Sequence, residues 1–298
     1  MTERLSFQDQ IQRNKIKSFL LIVFMFGIFV LIGYLISLSV DPSYFFVIMI
    51  FATIFSLSYV LISYYNSDKI AIASVGAKKA SRETQRKFYH AVESMSIASG
   101  LPMPKLFVMK SEQINAFATG RDPQHAVICV TTGALEKLDK QELEGVIAHE
   151  MSHIANYDMR FMTTVAVVVG LISIVAQIFL RSLWFSSGRD RKGNGWILVV
   201  TIVAAILAPL IAQLVSLAIS RKREFSADAT AVKFTRYPKG LKSALEKIKN
   251  EHPGEEEKKK YSQAIAPLFI SDPFKKKVSG LFATHPSLEI RINKLERM

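Results

Sequence analysis

Two histidines and a glutamate lie within five residues, in the stretch His149-Glu150-Met151-Ser152-His153. Residues four apart share one face of a helix, so both imidazoles can point at one metal ion. The carboxylate that follows the first histidine lies beside that ion without binding it, and it can take a proton from a water that zinc activates. The spacing indicates a zinc hydrolase with Glu150 as its base, although the five-residue pattern alone is only moderately specific.

A catalytic zinc site needs a third protein ligand, and the sequence offers a carboxylate for it. Glu224 and Asp228 are also four apart, within SRKREFSADATAVKF. We expect Glu224 to be the third ligand and Asp228 to orient an imidazole by accepting a hydrogen bond from its free N–H. The competing interpretation pairs Glu224 with Arg221 or Lys222 on a solvated helix face. The nearby histidine pattern favours the ligand.

The histidines lie in a segment whose sequence predicts a helix. Asp139-Lys140-Gln141-Glu142 is a capping-box pattern, and apolar residues at helical spacing follow it up to the histidines. A helix is also predicted at 81–99, ended by Gly100-Leu101-Pro102. Short strands are predicted at 105–109, 114–118 and 126–130. Together these elements predict an α+β domain that carries the histidine motif on a helix.

Four apolar runs surround this domain, at 18–38, 45–64, 161–180 and 196–219. Each is about as long as a bilayer core is thick, which predicts membrane-spanning helices. The short connector 39–44 makes the first two runs a hairpin. The last two runs are less purely apolar, so a pair of buried helices in the soluble domain remains their alternative interpretation. No run contains Asp, Glu, Lys or Arg, which argues against an ion or solute transporter.

The distribution of basic residues predicts the orientation in the membrane. Arginines and lysines precede the first run and none lies in the connector that follows it, which places the N-terminus in the cytoplasm. With four spans, 66–160 and 220–298 would also be cytoplasmic. The second connector nevertheless carries basic residues that a translocated loop usually avoids, so the crossing of this hairpin stays open: Arg181, Arg189, Arg191 and Lys192.

The composition limits the classes of partner. A formal net charge of +13 suits attraction to the anionic headgroups of a lipid bilayer, and no interleaved aromatic and basic motif indicates nucleic acid. The single cysteine, Cys129, excludes an intramolecular disulfide and is expected in a buried strand. The oligomeric state is not indicated.

The histidine motif is followed by a second motif, Arg223-Glu224-Phe225-Ser226-Ala227-Asp228. One apolar hairpin precedes the histidine motif and another lies between the two motifs. This arrangement resembles the HtpX-type membrane-bound zinc metallopeptidases. This family belongs to the gluzincin clan, as do the CAAX prenyl proteases, and the resemblance covers nearly the whole chain. It implies a zincin-like domain with one zinc ion per chain, held by His149, His153 and Glu224. It also implies an endopeptidase of the cell membrane whose active site faces the cytoplasm and whose protein substrates are damaged or misfolded membrane proteins.

Two further segments carry the same resemblance. Gln113-Ile114-Asn115-Ala116-Phe117-Ala118 resembles the family's edge strand, which implies that Asn115 and Ala116 bind an extended substrate. Thr284-His285-Pro286-Ser287 resembles the family's C-terminal element, which implies that His285 stabilises the tetrahedral intermediate and that Arg291 binds substrate. Here Glu289-Ile290-Arg291 stands where the family has an adjacent Glu-Arg pair. Without the family, His285 would be interpreted as a turn residue.

The fold class expected from these observations is a mainly α membrane protein, with about four transmembrane helices in two hairpins plus a cytoplasmic α+β zincin-like metallopeptidase domain. Its expected parts are an N-terminal transmembrane hairpin (1–66), a first catalytic part with the histidine motif (67–160), a second membrane hairpin (161–219) and a second catalytic part with the third zinc ligand (220–298).

Other functions are less compatible with the residues. A catalytically inactive membrane scaffold or adaptor would not need an intact set of metal ligands and base. A CAAX-type prenyl-protein protease is closer, but that architecture has more spans ahead of the motif than the two found here. An intramembrane protease would carry its motif inside an apolar span, whereas 139–144 is highly charged.

Overall fold

The computed structural model describes residues 7–37, 42–163, 165, 221–251, 268–271 and 286–298. It begins with two long helices, α1 (Phe7–Ser37) and α2 (Phe45–Tyr65), joined near a short 3-10 helix (Pro42–Tyr44). The predicted second membrane hairpin lies almost wholly outside the described residues, and His285 lies outside them too.

The helices α1 and α2 form the predicted first hairpin. Gly33 of α1 lies so close to Ala52 of α2 that a Cβ on the glycine would collide with the alanine side chain. Small residues permit this close approach of helices in membranes. Among the described residues, α2 is the one helix long and apolar enough to cross a membrane, and only 11% of its most apolar stretch is buried in the protein. Its exposed phenylalanine, leucine and isoleucine side chains therefore match a lipid environment better than water.

A four-stranded sheet has the order β1-β2-β4-β3. β2 (Lys105–Met109) pairs in parallel with β4 (Val127–Thr131), and the outer strands β1 (Lys78–Lys79) and β3 (Ala116–Thr119) are antiparallel to their neighbours. The predicted bounds of β2 are confirmed. β1 was missed because two exposed lysines carry no apolar alternation.

The other two strands begin one or two residues later than predicted. In the first of them, the backbone N–H of Ile114 donates to the Glu251 carboxylate, and that of Asn115 donates to the Thr131 hydroxyl. Residues 114 and 115 are therefore bonded to side chains, and the regular ladder of β3 begins only at Ala116.

Short helices connect and flank the sheet. α3 (Ser67–Ser74) follows the hairpin, and α4 (Arg86–Ser99) occupies most of the helix predicted at 81–99. The residues before α4 form a turn instead, in which the Ser81 N–H donates to Gln85 Oε1 at 2.7 Å. Gly100, with φ +71°, ends α4 where the sequence predicted a stop. α5 (Thr132–Lys137) follows β4.

The histidine motif lies on α6 (Lys140–Ala155), whose start is the predicted capping box. The Glu142 N–H donates to Asp139 Oδ1 at 2.8 Å, and the Asp139 N–H donates to Glu142 Oε2 at 2.7 Å. These two bonds satisfy N–H groups that a helix start leaves without partners. Nearly every side chain from Glu142 to Ile154 is buried, so α6 is the central helix of the described part that follows the hairpin.

Three helices follow in the C-terminal part: α7 (Arg221–Thr235), α8 (Pro238–Asn250) and α9 (Leu288–Leu295). α7 and α8 pack against α6, and α9 packs against α7 and α8. A Cβ at Gly145 of α6 would lie 2.5 Å from the backbone nitrogen of Leu241, and one at Gly240 would lie 2.5 Å from the carbonyl oxygen of Gln141. The two glycines thus let α6 and α8 touch backbone to backbone. This contact fixes the position of the helix that carries both histidines.

Candidate active site

Three side chains of types that can bind a metal come from two helices and converge in the protein interior. The Nε2 atoms of His149 and His153 lie 3.3 Å apart, and each lies 3.7 Å from an oxygen of Glu224. Zinc held tetrahedrally at roughly 2.0–2.1 Å places its ligand atoms about 3.4 Å from one another. The three side chains are buried and have the donor atoms and spacing of a zinc site. The chain's own residues therefore fit zinc.

The first histidine is oriented from behind by Asp228, one turn after Glu224 on α7. Its Oδ1 lies 3.0 Å from Nδ1 of His149. A carboxylate in this position fixes the tautomer and the ring orientation, so that Nε2 carries the lone pair for the metal. The structure thus brings Asp228 to the atom that the sequence-based expectation required.

Arg291 of α9 is buried behind this carboxylate. Its Nε donates to Asp228 Oδ2 at 2.9 Å, its Nη2 donates to Oδ1 at 2.7 Å, and its Nη1 donates to the Ile270 carbonyl at 3.2 Å. The resemblance implied substrate binding by Arg291. In the structure the guanidinium is fully buried and bound to Asp228 and to the backbone, and substrate binding by Arg291 stays a prediction.

The second histidine also has a carboxylate behind it, which the sequence did not reveal. Nδ1 of His153 lies 3.2 Å from Asp158 Oδ2. Asp158 follows the end of α6, and Tyr157 between them has φ +57°, a left-handed conformation that bends the chain out of the helix. Helical spacing therefore could not predict this pair. An acidic residue shortly after the motif was the only available signal.

These partners shift the pKa values of the two histidines in opposite directions. Burial, together with the Arg291 guanidinium, lowers the pKa of His149 to about 4. Burial also acts to lower the pKa of His153, but Asp158 and Glu224 outweigh it and raise that pKa to about 9. Burial acts to raise the pKa of Asp228, yet Arg291 and His149 hold it at about 2. Because zinc requires neutral imidazoles, its binding would release the proton from His153.

Glu150 lies beside the ligands and faces β3. It is buried, and its Oε1 has no hydrogen-bond partner within the part of the chain that the structure describes. Burial raises its pKa to about 7, against an opposing effect of His153. A carboxyl group with these properties can both accept and release a proton near neutral pH.

The chain's own residues lie on the outer edge of β3, which the resemblance assigns to the substrate. The Ile270 N–H donates to the Ala116 carbonyl at 2.9 Å, and Phe269 forms an antiparallel bridge with Phe117. The Asn115 side-chain amide donates to the Ser271 carbonyl at 2.9 Å. A substrate strand on this edge must displace 268–271, and substrate binding by Asn115 and Ala116 stays a prediction.

Comparison with known proteins agrees with this geometry. The profile of peptidase family M48 matches residues 82–298, more than half of the chain. A protease HtpX homolog of Dictyoglomus thermophilum is 43% identical over 294 residues, covering 98% of this chain and 95% of that protein. Another protease HtpX homolog, of Caldanaerobacter subterraneus subsp. tengcongensis, is 48% identical over 256 residues, 84% of each chain.

A solved structure shares the fold. The crystal structure of S. mikatae Ste24p superposes with a TM-score of 0.52 at 19% sequence identity, covering 96% of this chain and 66% of that one. The chain thus spans just under two thirds of the length of that protein. From the profile match and from the relatives of similar length, the chain belongs to peptidase family M48, the zinc-dependent metalloproteases.

Proposed function

We propose that this protein is a membrane-bound zinc endopeptidase in which His149, His153 and Glu224 hold the metal and Glu150 transfers protons. One observation supports this proposal most strongly. Three buried donors at zinc-ligand spacing lie next to a buried carboxylate with an unused oxygen. A structural ion pair would need neither the third donor nor the unused oxygen. An inactive scaffold would have no reason to keep both.

The proposed reaction is direct hydrolysis of a peptide bond. Zinc, when bound, polarises the scissile carbonyl and lowers the pKa of an attacking water towards about 7. Glu150 takes one proton from the water while the water oxygen attacks the carbonyl carbon. It then delivers that proton to the amide nitrogen, the C–N bond breaks, and an acid and an amine leave. Asp228 and Asp158 keep the two imidazoles oriented throughout. No acyl-enzyme forms.

The proposal is tested on the full chain purified in detergent, with an unfolded casein-type protein as substrate. We expect cleavage that stops when a chelator removes the metal and that returns on addition of zinc alone. Magnesium added in place of zinc is the control, because a site of two imidazoles and one carboxylate suits zinc much better. Cleavage that persists without metal would refute the mechanism. One bound zinc without any cleavage would favour the scaffold, and cleavage confined to prenylated peptides would favour the CAAX-type enzyme.

The proposed location is the cell membrane, with the catalytic domain facing the cytoplasm. In this proposal 1–66 and 161–219 are the two membrane hairpins, and 67–160 and 220–298 form the catalytic domain. The apolar surface of α2 and the basic residues before the first run support it. The contact of α1 with the end of the motif helix supports a site at the membrane surface, because Asn14 donates to the carbonyl of Asn156. Such a site suits membrane proteins that are damaged or misfolded as substrates.

The second hairpin is the part of this topology that most needs a test. We expect a Ser187→Cys variant to react with an impermeant thiol reagent added outside intact cells, since a crossing hairpin puts this residue on the far side. The unmodified chain is the control, because its single cysteine is fully buried in β4. Labelling only after lysis would mean that the hairpin returns without crossing.

A further inference from the structure

The first helix of the chain, α1, contacts the loop behind the metal site through Asn14. The side-chain amide donates to Asp158 Oδ1 at 2.7 Å and to the Asn156 carbonyl at 3.1 Å. Asn14 is 7% exposed and Asp158 is 2% exposed, so water does not replace these bonds easily. Both partners are acceptors, which uses the two N–H groups of the amide.

The same carboxylate holds a candidate zinc ligand with its other oxygen. Asp158 Oδ2 lies 3.2 Å from Nδ1 of His153. A continuous series of polar contacts thus runs from Asn14 through Asp158 to His153. Asn14 lies one turn before Ser18, where the uncharged run of α1 begins. The series therefore starts next to the first predicted membrane span.

A second contact of α1 reinforces the loop. The Lys15 ammonium lies 4.5 Å from the ring centroid of Tyr157, the residue with φ +57° between α6 and Asp158. A cation over an aromatic face is attractive, so α1 holds this bend by two neighbouring side chains. Besides Asn14 and His153, Asp158 also interacts electrostatically with Arg223 of α7.

We propose that Asn14 is a positioning residue of the metal site and that α1 is thereby a structural part of that site. The inference rests on the zinc site proposed above. Without the Asn14 amide, Oδ1 of the buried Asp158 carboxylate loses a hydrogen bond. The carboxylate then turns towards Arg223. Nδ1 of His153 then loses its fixed acceptor. The imidazole reorients, and the metal is bound more weakly.

The experiment measures the zinc affinity of the full chain in detergent by competition with a chromogenic chelator. Changes to residues that support a metal ligand typically weaken binding by 10- to 100-fold, and Asn14 acts one contact further away. We therefore expect about tenfold weaker binding for Asn14→Ala. Gln12→Ala is the matched control, because it removes an amide of similar type from an exposed position on α1. Equal affinities of these two variants would overturn the proposal.

Two further variants separate positioning from packing. Asn14→Asp keeps the shape of the side chain but places a carboxylate against Asp158, so we expect it to weaken zinc binding at least as much as Asn14→Ala. Wild-type affinity in Asn14→Asp would show that only packing matters. In an Asp158→Ala background, Asn14→Ala should cause no additional loss, because the residue that it acts through is gone. Additive losses would contradict the series of contacts.

Failure of this inference is distinguishable from failure of the proposed function. If the unmodified chain holds one zinc and His153→Ala loses it, the metal site stands whatever Asn14 does. If His153→Ala binds zinc as tightly as the unmodified chain, the proposed site itself is wrong. The unfolding temperature of each metal-free variant is recorded alongside, and an affinity loss that merely follows a loss of folding would also count against Asn14.

Discussion

Replacing Glu150 by glutamine is expected to abolish peptide hydrolysis while leaving one zinc bound. The amide has nearly the same shape as the carboxylate but cannot take a proton, and general-base catalysis typically contributes about 10²- to 10⁴-fold to a rate. We therefore expect a loss of at least about 10²-fold in kcat/KM on a casein-type substrate. The zinc content should not change, because the three donors are elsewhere, on His149, His153 and Glu224.

The control for this change is Glu144→Gln on the same helix. Glu144 is partly exposed and pairs with Lys140 at 4.0 Å, so its replacement should affect neither zinc nor turnover. Zinc is counted by mass spectrometry on the same samples that are assayed. Loss of zinc in Glu150→Gln would make Glu150 a ligand, and near wild-type turnover would exclude it as the base. Self-cleavage of the unmodified chain during purification, absent in Glu150→Gln, would be an independent sign of the activity.

The motif helix was predictable because its signals are local. The capping box at Asp139 and Glu142 needs only four consecutive residues, and the two histidines need only the periodicity of one helix. Glu224 and Asp228 repeat that periodicity on a second helix. The prediction placed the two helices together because a catalytic zinc site needs a third protein ligand besides two imidazoles.

The supporting residues were not predictable in the same way, because they reach the site through tertiary contacts. Arg291 binds Asp228 across 63 residues of sequence, and Asn14 binds Asp158 across 144. No periodicity in a single sequence indicates such pairs. The occupation of the β3 edge by 268–271 was hidden for the same reason. The start of β3 was misplaced by two residues because side-chain acceptors replaced backbone ones at Ile114 and Asn115.

The buried pair of Asp228 and Arg291 changes how the third ligand should be tested. Asp228→Ala would leave a fully buried guanidinium without its carboxylate, which typically costs about 3–5 kcal/mol, so lost folding could be mistaken for lost metal. Asp228→Asn is the better variant, because it removes the same negative charge but fills the same space and keeps an oxygen that accepts one of the two hydrogen bonds from Arg291. The unfolding temperature of the metal-free variant then shows whether folding is affected. We expect roughly 10- to 100-fold weaker zinc binding in Asp228→Asn, the usual effect of changing a residue that orients a ligand.

Glu224→Ala is expected to lose zinc more completely than Asp228→Asn, because it removes a ligand atom and leaves only the two imidazoles. The affinity should fall by more than the roughly 100-fold upper limit for an orienting residue, and hydrolysis should fall with it. Glu246→Ala on α8 is the control, since that side chain is half-exposed and its carboxylate lies 3.7 Å from Lys242. Zinc is measured by mass spectrometry after dialysis against a mild chelator. A full equivalent of zinc retained by Glu224→Ala would place the third ligand elsewhere in the chain, with His285 as the next residue to replace.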